Sequence, residues 1–193
     1  PGRSNVLQVG YTGGLYAGKG LEVIEKIHSK LLNIDFHIVG GKETEVKYWE
    51  KRIPGLNVHF HGFQPNRLIN NYINMFDVCL LPNQKVVYGH SNTKDLVKLT
   101  DIGKYTSPIK LFEYMSYGLP FISSDFPVLR EFIRDNENAI LIKGLVVDEW
   151  IRMIKLLDND LELRKKLSIN SRKTIESKYN WNKRAKRISE AIN

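Results

Sequence analysis

The sequence predicts an α/β fold, a Rossmann-like, doubly wound parallel sheet of about six strands with helices on both faces and a helical C-terminal tail. Six short apolar segments alternate with segments whose apolar residues recur at helical spacing. Parallel strands need a crossover between them, and right-handed crossovers place helices on both faces of the sheet. The chain has 193 residues, 42% of them hydrophobic, which is enough for one domain with a substantial core.

Each strand is predicted from an apolar run, and the first three runs contain glycine near their ends, as in "NVLQVGY", "DFHIVGG" and "NVHFHGF". Helix 108–117 follows Ser107, a good N-cap, begins with Pro108 and stops at Gly118. The polar stretch 84–107 is predicted to be a long loop. The predicted strands are 5–11, 35–41, 57–63, 77–83, 120–125 and 138–142, and the predicted helices are 20–32, 43–53, 65–76, 108–117, 127–134, 146–158, 160–179 and 181–192.

Composition excludes several classes of protein. The single cysteine, Cys79, excludes an internal disulfide framework and lies in an apolar run where a buried position is expected. No apolar run approaches the ~18 residues of a membrane span. Residues 161–193 hold ten Lys or Arg and three Glu, so they supply +7 of the net charge of +8. The charge is therefore concentrated in a helical tail, which argues against a nucleic-acid-binding surface over the whole domain.

The stretch "GGLYAGKG" (13–20) resembles a phosphate-binding P-loop except at its last position. A P-loop needs a Ser or Thr after the lysine to hold magnesium, and Gly20 has no hydroxyl group. The dinucleotide fingerprint Gly-x-Gly-x-x-Gly is also absent from this first turn. A glycine-rich turn followed by a helix N-terminus still favours an anion, and Lys19 adds positive charge there. The alternative, a tight turn with a solvent-facing lysine, stays open on spacing alone.

A second candidate anion site lies in "SPIKLFEYMSYGLPFISSD" (107–125). Lys110 and the backbone N–H groups of Ile109 and Lys110 lie in the first turn of the predicted helix. Glu113 follows one turn later, where its carboxylate could accept hydrogen bonds from two sugar hydroxyls. The alternative is a surface glutamate that the helix dipole favours. His59 and His61, on one face of a strand, are predicted to be ordinary strand residues because zinc needs three or four ligands.

These blocks resemble the C-terminal, donor-binding domain of GT-B-fold retaining glycosyltransferases of the "glycosyl transferases group 1" type. The resemblance covers nearly the whole chain, from "VGYTGGLYAGKGLEVIEKI" through "FHIVGG", "VHFHGF" and "FDVCLLPN" to "NAILI". The block "KLFEYMSYGLPFISSD" is its most specific part. The resemblance implies a domain that binds a nucleoside-diphosphate sugar as co-substrate, with no cofactor and no metal.

The resemblance also implies roles for individual residues. Lys19 matches the lysine that contacts the donor diphosphate, and Glu113 matches the second glutamate of a Glu-x7-Glu motif, which binds the ribose hydroxyls; these two form the predicted catalytic pair. Ile109 and Lys110 match positions whose backbone amides meet the distal phosphate. The predicted substrate-binding set is Gly13, Gly14, Gly41, Phe63, Gln64, Tyr105, Ile109, Lys110 and Leu111, in which Phe63 and Gln64 belong to a wall against the nucleobase and Gly41 to the chain that passes the nucleotide.

Two positions depart from the family pattern. The first glutamate of the motif falls at Tyr105, near the expected donor sugar, and Gly14 stands where the family often has arginine. The missing diphosphate contact would then come from elsewhere, and Lys104 and Lys110 are candidates. The long loop 84–107 could compensate for the missing glutamate.

The resemblance implies transfer of a sugar, with retention, to a saccharide or lipid-linked acceptor, in polysaccharide biosynthesis. We expect residues 1–193 to be one nucleotide-sugar-binding domain without the N-terminal acceptor domain, and therefore inactive alone. We expect a cytoplasmic location. Contact of the basic tail with the cytoplasmic membrane face stays open against a solvated helix whose Leu163, Leu167 and Ile188 pack inward. A nucleotide-sugar epimerase of related fold and a non-catalytic nucleotide-sugar-binding module remain alternatives.

Overall fold

The structure is a computed structural model that describes residues 6–85, 87–88, 99–100, 109–179 and 189–190. Its main sheet has six strands, all parallel. In chain order the elements are β1 (Leu7–Thr12), α1 (Leu21–Ile27), β2 (Ile34–Val39), α2 (Glu43–Arg52), β3 (Val58–Gly62), α3 (Asn66–Ile73), β4 (Val78–Leu81), β5 (Val87–Tyr88), β6 (Leu99–Thr100), α4 (Ile109–Tyr117), β7 (Phe121–Ser124), β8 (Ile140–Ile142), α5 (Val147–Asn159) and α6 (Leu161–Lys178).

The strand order across the main sheet is β3-β2-β1-β4-β7-β8. The predicted doubly wound parallel sheet is therefore confirmed, and each of its six strands falls within one residue of a predicted segment. The order reverses between β1 and β4, so the chain leaves these two neighbours toward opposite sides. Such a reversal leaves a crevice outside the carboxyl ends of the strands, where ligands bind in folds of this type.

Two apolar layers hold helices on the two faces of the sheet. One layer packs α1 and α5 against β1 and β2, and its Phe36, Ile24 and Trp150 are each at most 1% exposed. The other layer packs α3 and α4 against β4 and β7, and it includes Phe121 and Cys79. Burial raises the pKa of the Cys79 thiol well above its usual value, so the thiol stays neutral. The expected buried position of Cys79 is confirmed.

Two predicted helices are shorter in the structure. Helix 20–32 ends at Ile27 and continues only as a 3-10 turn at His28–Lys30. The predicted helix 127–134 is wrong, because that segment forms a single 3-10 turn at Leu129–Glu131. Asn138 ends it by accepting a hydrogen bond from the Arg134 N–H at 2.8 Å and donating one to the Phe132 carbonyl at 3.1 Å. Such side-chain bonds offer the backbone an alternative to the helical ladder.

The stretch 84–107 is not wholly irregular. Its described residues Val87–Tyr88 and Leu99–Thr100 pair as a short antiparallel sheet, which the loop prediction missed. The predicted helix 181–192 falls outside the described residues except for 189–190.

The first part of the basic tail is α6, which packs against α4. Leu167 is fully buried in the layer that contains α1 and α5, and Leu163 is partly buried against that layer, so the inward packing predicted for these two residues is confirmed. Ile188 lies outside the described residues. Among the helices that the structure describes, none combines the length and the apolarity that a bilayer crossing requires.

Candidate functional site

A cavity of about 510 Å³ opens at the carboxyl ends of β1, β2 and β3. Its walls come from the turns after these strands and from one side each of α3 and α4. Its lining residues are Thr12, Gly13, Gly14, Tyr16, Val39, Gly40, Gly41, Lys42, Glu45, Phe63, Gln64, Asn66, Ile69, Asn70, Ile73, Lys110, Glu113 and Tyr117. Seven of the predicted site residues therefore meet in one cavity, although they come from four separate segments of the chain: Gly13, Gly14, Gly41, Phe63, Gln64, Lys110 and Glu113.

The floor of the cavity is made of closely packed backbone. The Gly13 N–H donates to the Val39 carbonyl at 2.9 Å, and the Tyr11 hydroxyl donates to the Gly14 carbonyl at 2.8 Å. Gly40 has a φ of 122°, and a Cβ atom there would lie 2.1 Å from the Gly13 carbonyl oxygen. Only glycine fits at this contact. The two glycine turns are thus hydrogen-bonded and closely packed against each other, and their backbone lines the cavity.

The second half of the glycine turn is arranged differently from the prediction. The Glu22 carboxylate accepts hydrogen bonds from the Gly18 N–H at 2.7 Å and the Gly20 N–H at 3.1 Å. Two amides of this turn therefore already bind a carboxylate of the protein itself, whereas the sequence analysis expected exposed N–H groups before this helix. Lys19 does not line the cavity, and its Nζ lies 5.1 Å from the centre of the Tyr16 ring, which does.

Helix α4 places opposite charges side by side in the cavity wall. The Lys110 Nζ lies 2.8 Å from Glu113 Oε2, and each side chain is 34% exposed. The other two predicted residues of this helix turn away from the cavity lining. The Ile109 side chain is 68% exposed, and Leu111 is completely buried in the apolar layer, so its side chain offers nothing to a ligand. Any ligand contact of Ile109 or Leu111 would have to come through the backbone.

The wall opposite α4 comes from the β3–α3 turn. The Phe63 ring is 77% exposed and lines the cavity. Gln64 is held in place because its Nε2 donates to the His61 carbonyl at 2.6 Å. Two asparagines of α3, Asn66 and Asn70, add amide groups to the same wall, and Asn70 accepts a hydrogen bond from the Tyr117 hydroxyl.

Sequence reasoning missed several polar lining residues. Lys42 and Glu45 start α2, where the Glu45 carboxylate accepts the Lys42 N–H at 2.8 Å. Lys42 directly follows the paired glycines of a predicted strand end, which was the available signal. The asparagines of α3 carried no such signal, because only the tertiary fold shows which helix face meets the cavity. Tyr105 and Lys104 lie outside the described residues, so their predicted roles stay predictions.

Three histidines form a cluster beneath the β3–α3 turn. His37, which the sequence analysis did not single out, is 8% exposed and shares a hydrogen bond of 3.0 Å with His61 through Nδ1 and Nε2. It also stacks on His59 at 4.9 Å, and its Nε2 lies 2.6 Å from Gln8 Oε1. Burial and the two neighbouring imidazoles lower the pKa of His37 to about 4. In the described part of the chain, no group of three or more His, Cys, Asp or Glu side chains is arranged to hold a metal.

A family model described as "Glycosyl transferases group 1" matches residues 7–160, well over half of the chain. The chain belongs to the glycosyl transferases group 1 family. This match confirms the resemblance that the sequence blocks indicated. No curated protein is similar enough to this group 1 sequence to count as a match.

Solved structures share the group 1 fold at low identity. HepE of Anabaena in complex with UDP-glucose has a TM-score of 0.77 at 16% identity, over 97% of this chain and 49% of that one. Sucrose-phosphate synthase of Thermosynechococcus elongatus has a TM-score of 0.77 at 18% identity, over 97% of this chain and 45% of that one.

The C-terminal domain of a glycosyl transferase group 1 family protein of Francisella tularensis matches with a TM-score of 0.68 at 16% identity, over 91% of this chain and 87% of that one. By contrast, the chain spans about a third to a half of the full-length structures it matches. The chain thus has the fold of a GT-B C-terminal domain.

Proposed function

We propose that this chain is the donor-binding domain of a retaining glycosyltransferase. It binds a nucleoside-diphosphate sugar without a metal, and the complete enzyme transfers the sugar to a saccharide or lipid-linked acceptor. Family membership and the GT-B fold support the reaction class. HepE is solved with UDP-glucose, and a Staphylococcus aureus TarM mutant is solved with UDP and saccharides, so proteins of this fold bind the proposed ligands.

The observation on which the proposal rests is the Lys110–Glu113 pair beside the Gly13–Gly14 backbone in one cavity. A nucleoside diphosphate presents hydroxyls at its ribose and negative charge at its phosphates. Glu113 can accept hydrogen bonds from the ribose hydroxyls, and Lys110 can move its charge to the phosphates. The ligand would exchange one ion pair for two matched contacts, at a half-exposed position where that ion pair contributes only about 0–1 kcal/mol.

The residues of this chain would then act on the leaving group. Departure of the sugar leaves a nucleoside diphosphate whose negative charge grows in the transition state. Fixed cations and backbone dipoles stabilise such charge without reorganising, and the loss of one such contact costs about 3 kcal/mol of barrier. The proposed cations are Lys19, above the Tyr16 ring at the cavity edge, and Lys110, which reaches the phosphates when the donor binds and is then in place before the sugar departs.

The proposal includes the division of the enzyme into two domains. Residues 1–193 form the donor-binding domain, and the acceptor domain belongs to a separate part of the enzyme, so this domain alone is inactive. The enzyme works in the cytoplasm, with the basic tail available for contact with the anionic membrane face. Liposome pelleting at low and at high salt tests that contact, because electrostatic binding weakens with salt.

One observation favours a second candidate function. Tyr105 replaces the glutamate that the family places near the donor sugar. A module that binds a nucleotide sugar without transferring it would tolerate this replacement. Product analysis of the complete enzyme with donor and acceptor separates the two functions, since only a transferase releases nucleoside diphosphate together with glycosylated acceptor.

The central experiment is a thermal-shift and calorimetry panel of UDP-, GDP- and ADP-sugars with EDTA present. We expect one nucleotide class to raise the melting temperature, and Glu113→Ala to weaken its binding about tenfold or more, because a charge-assisted contact is worth about 1.5–3 kcal/mol. The matched control is Glu162→Ala, which breaks a Lys–Glu pair of the same i,i+3 spacing outside the cavity. If no sugar nucleotide binds, the proposed function is wrong.

A further inference from the structure

The buried Tyr114 side chain links two parts of the cavity, the Gly13–Gly14 backbone and the wall formed by α4. It follows Glu113 on α4, but its side chain is fully buried while Glu113 faces the cavity. Its hydroxyl oxygen lies 3.0 Å from the backbone nitrogen of Thr12 and 3.1 Å from Thr12 Oγ1. Thr12 is the last residue of β1 and directly precedes the Gly13–Gly14 backbone.

The Tyr114 hydroxyl provides a hydrogen bond at a point where the pairing of β1 with β4 has already ended. β1 pairs with β4 only through Val9 and Gly10, so the two strands separate before Thr12. A buried backbone N–H without a partner is costly, and the Tyr114 hydroxyl accepts from the Thr12 N–H in the gap. The same hydroxyl can donate to Thr12 Oγ1, because a tyrosine hydroxyl both donates and accepts.

We infer that Tyr114 is the positioning residue that sets the distance between the Gly13–Gly14 backbone and the Lys110–Glu113 pair. The inference rests on the proposed function, because both groups are assigned to one nucleotide there. The side chain of Tyr114, the residue after Glu113, hydrogen-bonds Thr12, the residue before the two glycines. Misplacement of a ligand group by 1 Å can cost two orders of magnitude in rate, so such a link matters to binding and turnover.

The test measures UDP affinity by calorimetry, or the affinity of whichever nucleotide diphosphate the panel selects. Tyr114→Phe keeps the ring and removes only the hydroxyl. We expect it to weaken binding about tenfold, because the Gly13–Gly14 backbone and the Lys110–Glu113 pair are then no longer held at the spacing that suits one ligand. The control is Ile154→Val, a mild truncation in the apolar layer on the other face of the sheet, which we expect to lower the melting temperature without changing affinity.

A double-mutant cycle separates positioning from general destabilisation. If Tyr114 acts by placing Glu113, then Tyr114→Phe should change affinity less than about twofold when Glu113→Ala is already present. A merely structural role would give the same factor in both backgrounds. Thr12→Val provides a second variant of the same link and should weaken binding in the same direction by a smaller factor.

The outcomes are distinct. Wild-type affinity in Tyr114→Phe, or a full tenfold effect of that change in the Glu113→Ala background, would overturn the inference and leave the proposed function intact. Failure of the unmodified chain to bind any nucleotide diphosphate would overturn the proposed function and the inference together.

Discussion

The chain contains two helix N-termini with sequences suited to an anion, and the structure uses them differently. At α1 the amides of Gly18 and Gly20 bind the carboxylate of Glu22. At α4 the first two turns present Lys110 and Glu113 to a cavity, with Lys110 Nζ 2.8 Å from Glu113 Oε2 and each side chain 34% exposed. At the first terminus two amides bind a carboxylate of the protein, and at the second a lysine and a glutamate form an ion pair in the cavity wall.

This difference shows that a glycine-rich turn before a helix does not by itself predict an anion site. A carboxylate two residues into the helix can bind the same amides that a phosphate would. Contacts of the glycine-rich turn 13–20 with a ligand are then expected from the Gly13–Gly14 backbone and from the Lys19 side chain. We call the turn whose Gly18 and Gly20 amides bind Glu22 the closed turn, and the start of α4 with Lys110 and Glu113 the open turn. The following predictions test this contrast, from the largest expected effect to the smallest.

The largest effect is expected at Lys19. If its charge reaches the leaving diphosphate, Lys19→Ala in the complete enzyme should slow turnover at least about a hundredfold, equivalent to a loss of nearly 3 kcal/mol of transition-state stabilisation. Lys19→Arg keeps the positive charge and should retain more activity than the alanine variant. Steady-state rates of donor consumption measure both, and wild-type rates in Lys19→Ala would show that the closed turn takes no part in catalysis.

The dependence of stability on pH tests the histidine cluster beneath the β3–α3 turn. The pKa of His37 is about 4 in the folded protein against an ordinary value of 6.5, and the pKa of His61 is also lowered. Between pH 6.5 and pH 4 the unfolded chain therefore binds more protons than the folded protein. The free energy of unfolding has its full value above pH 6.5 and decreases as the pH falls toward 4. The groups facing His37 are His59, His61 and Asp35.

We expect a loss on the order of 2 kcal/mol from His37 across this window, measured by urea denaturation at several pH values. His37→Gln should reduce the dependence, because no proton can bind at that position. A stability that stays constant from pH 7 to pH 4 would contradict the prediction.

Glu22→Ala should destabilise the closed turn. It removes the acceptor of two backbone N–H groups, a loss of about 1 kcal/mol by analogy with an N-cap. Chemical denaturation of the domain measures it. Unchanged stability would show that water replaces the carboxylate without cost.

The smallest effect on stability is expected at the open turn. Lys110→Ala breaks a half-exposed ion pair, so the free energy of unfolding should change by at most about 0.5 kcal/mol. Nucleotide affinity, measured by calorimetry, should nevertheless fall. A large loss of stability with unchanged affinity would reverse the contrast between the two turns.

The sequence alone was sufficient for the architecture and for much of the cavity. Parallel strands that end at glycine placed Gly13, Gly41 and Phe63 at one edge of the sheet, and the structure brings them to one cavity. Side-chain direction could not be predicted in the same way. Lys19 lies beside the cavity over Tyr16 and not in its lining, because the direction of this side chain depends on the conformation of the turn.

Local pattern also failed where a side chain binds nearby backbone. Residues 127–134 were predicted to be a helix, yet Asn138 binds the Arg134 N–H and the Phe132 carbonyl, and the segment forms a single 3-10 turn. His59 and His61 lie 22 and 24 residues after His37 in the sequence, so only strand register brings the three together.

Alternating apolar periodicity, glycine positions and the family blocks determined the fold class, the edge of the sheet where the cavity opens and the charged residues of α4, because these follow from patterns that are local in sequence. Only the tertiary structure showed that Glu22 binds the amides of Gly18 and Gly20 and that Tyr114 hydrogen-bonds Thr12. It also showed that Lys110 and Glu113 share a cavity with Gly13 and Gly14, about a hundred residues away. Contacts at such separation follow from packing across the sheet, which no local pattern encodes.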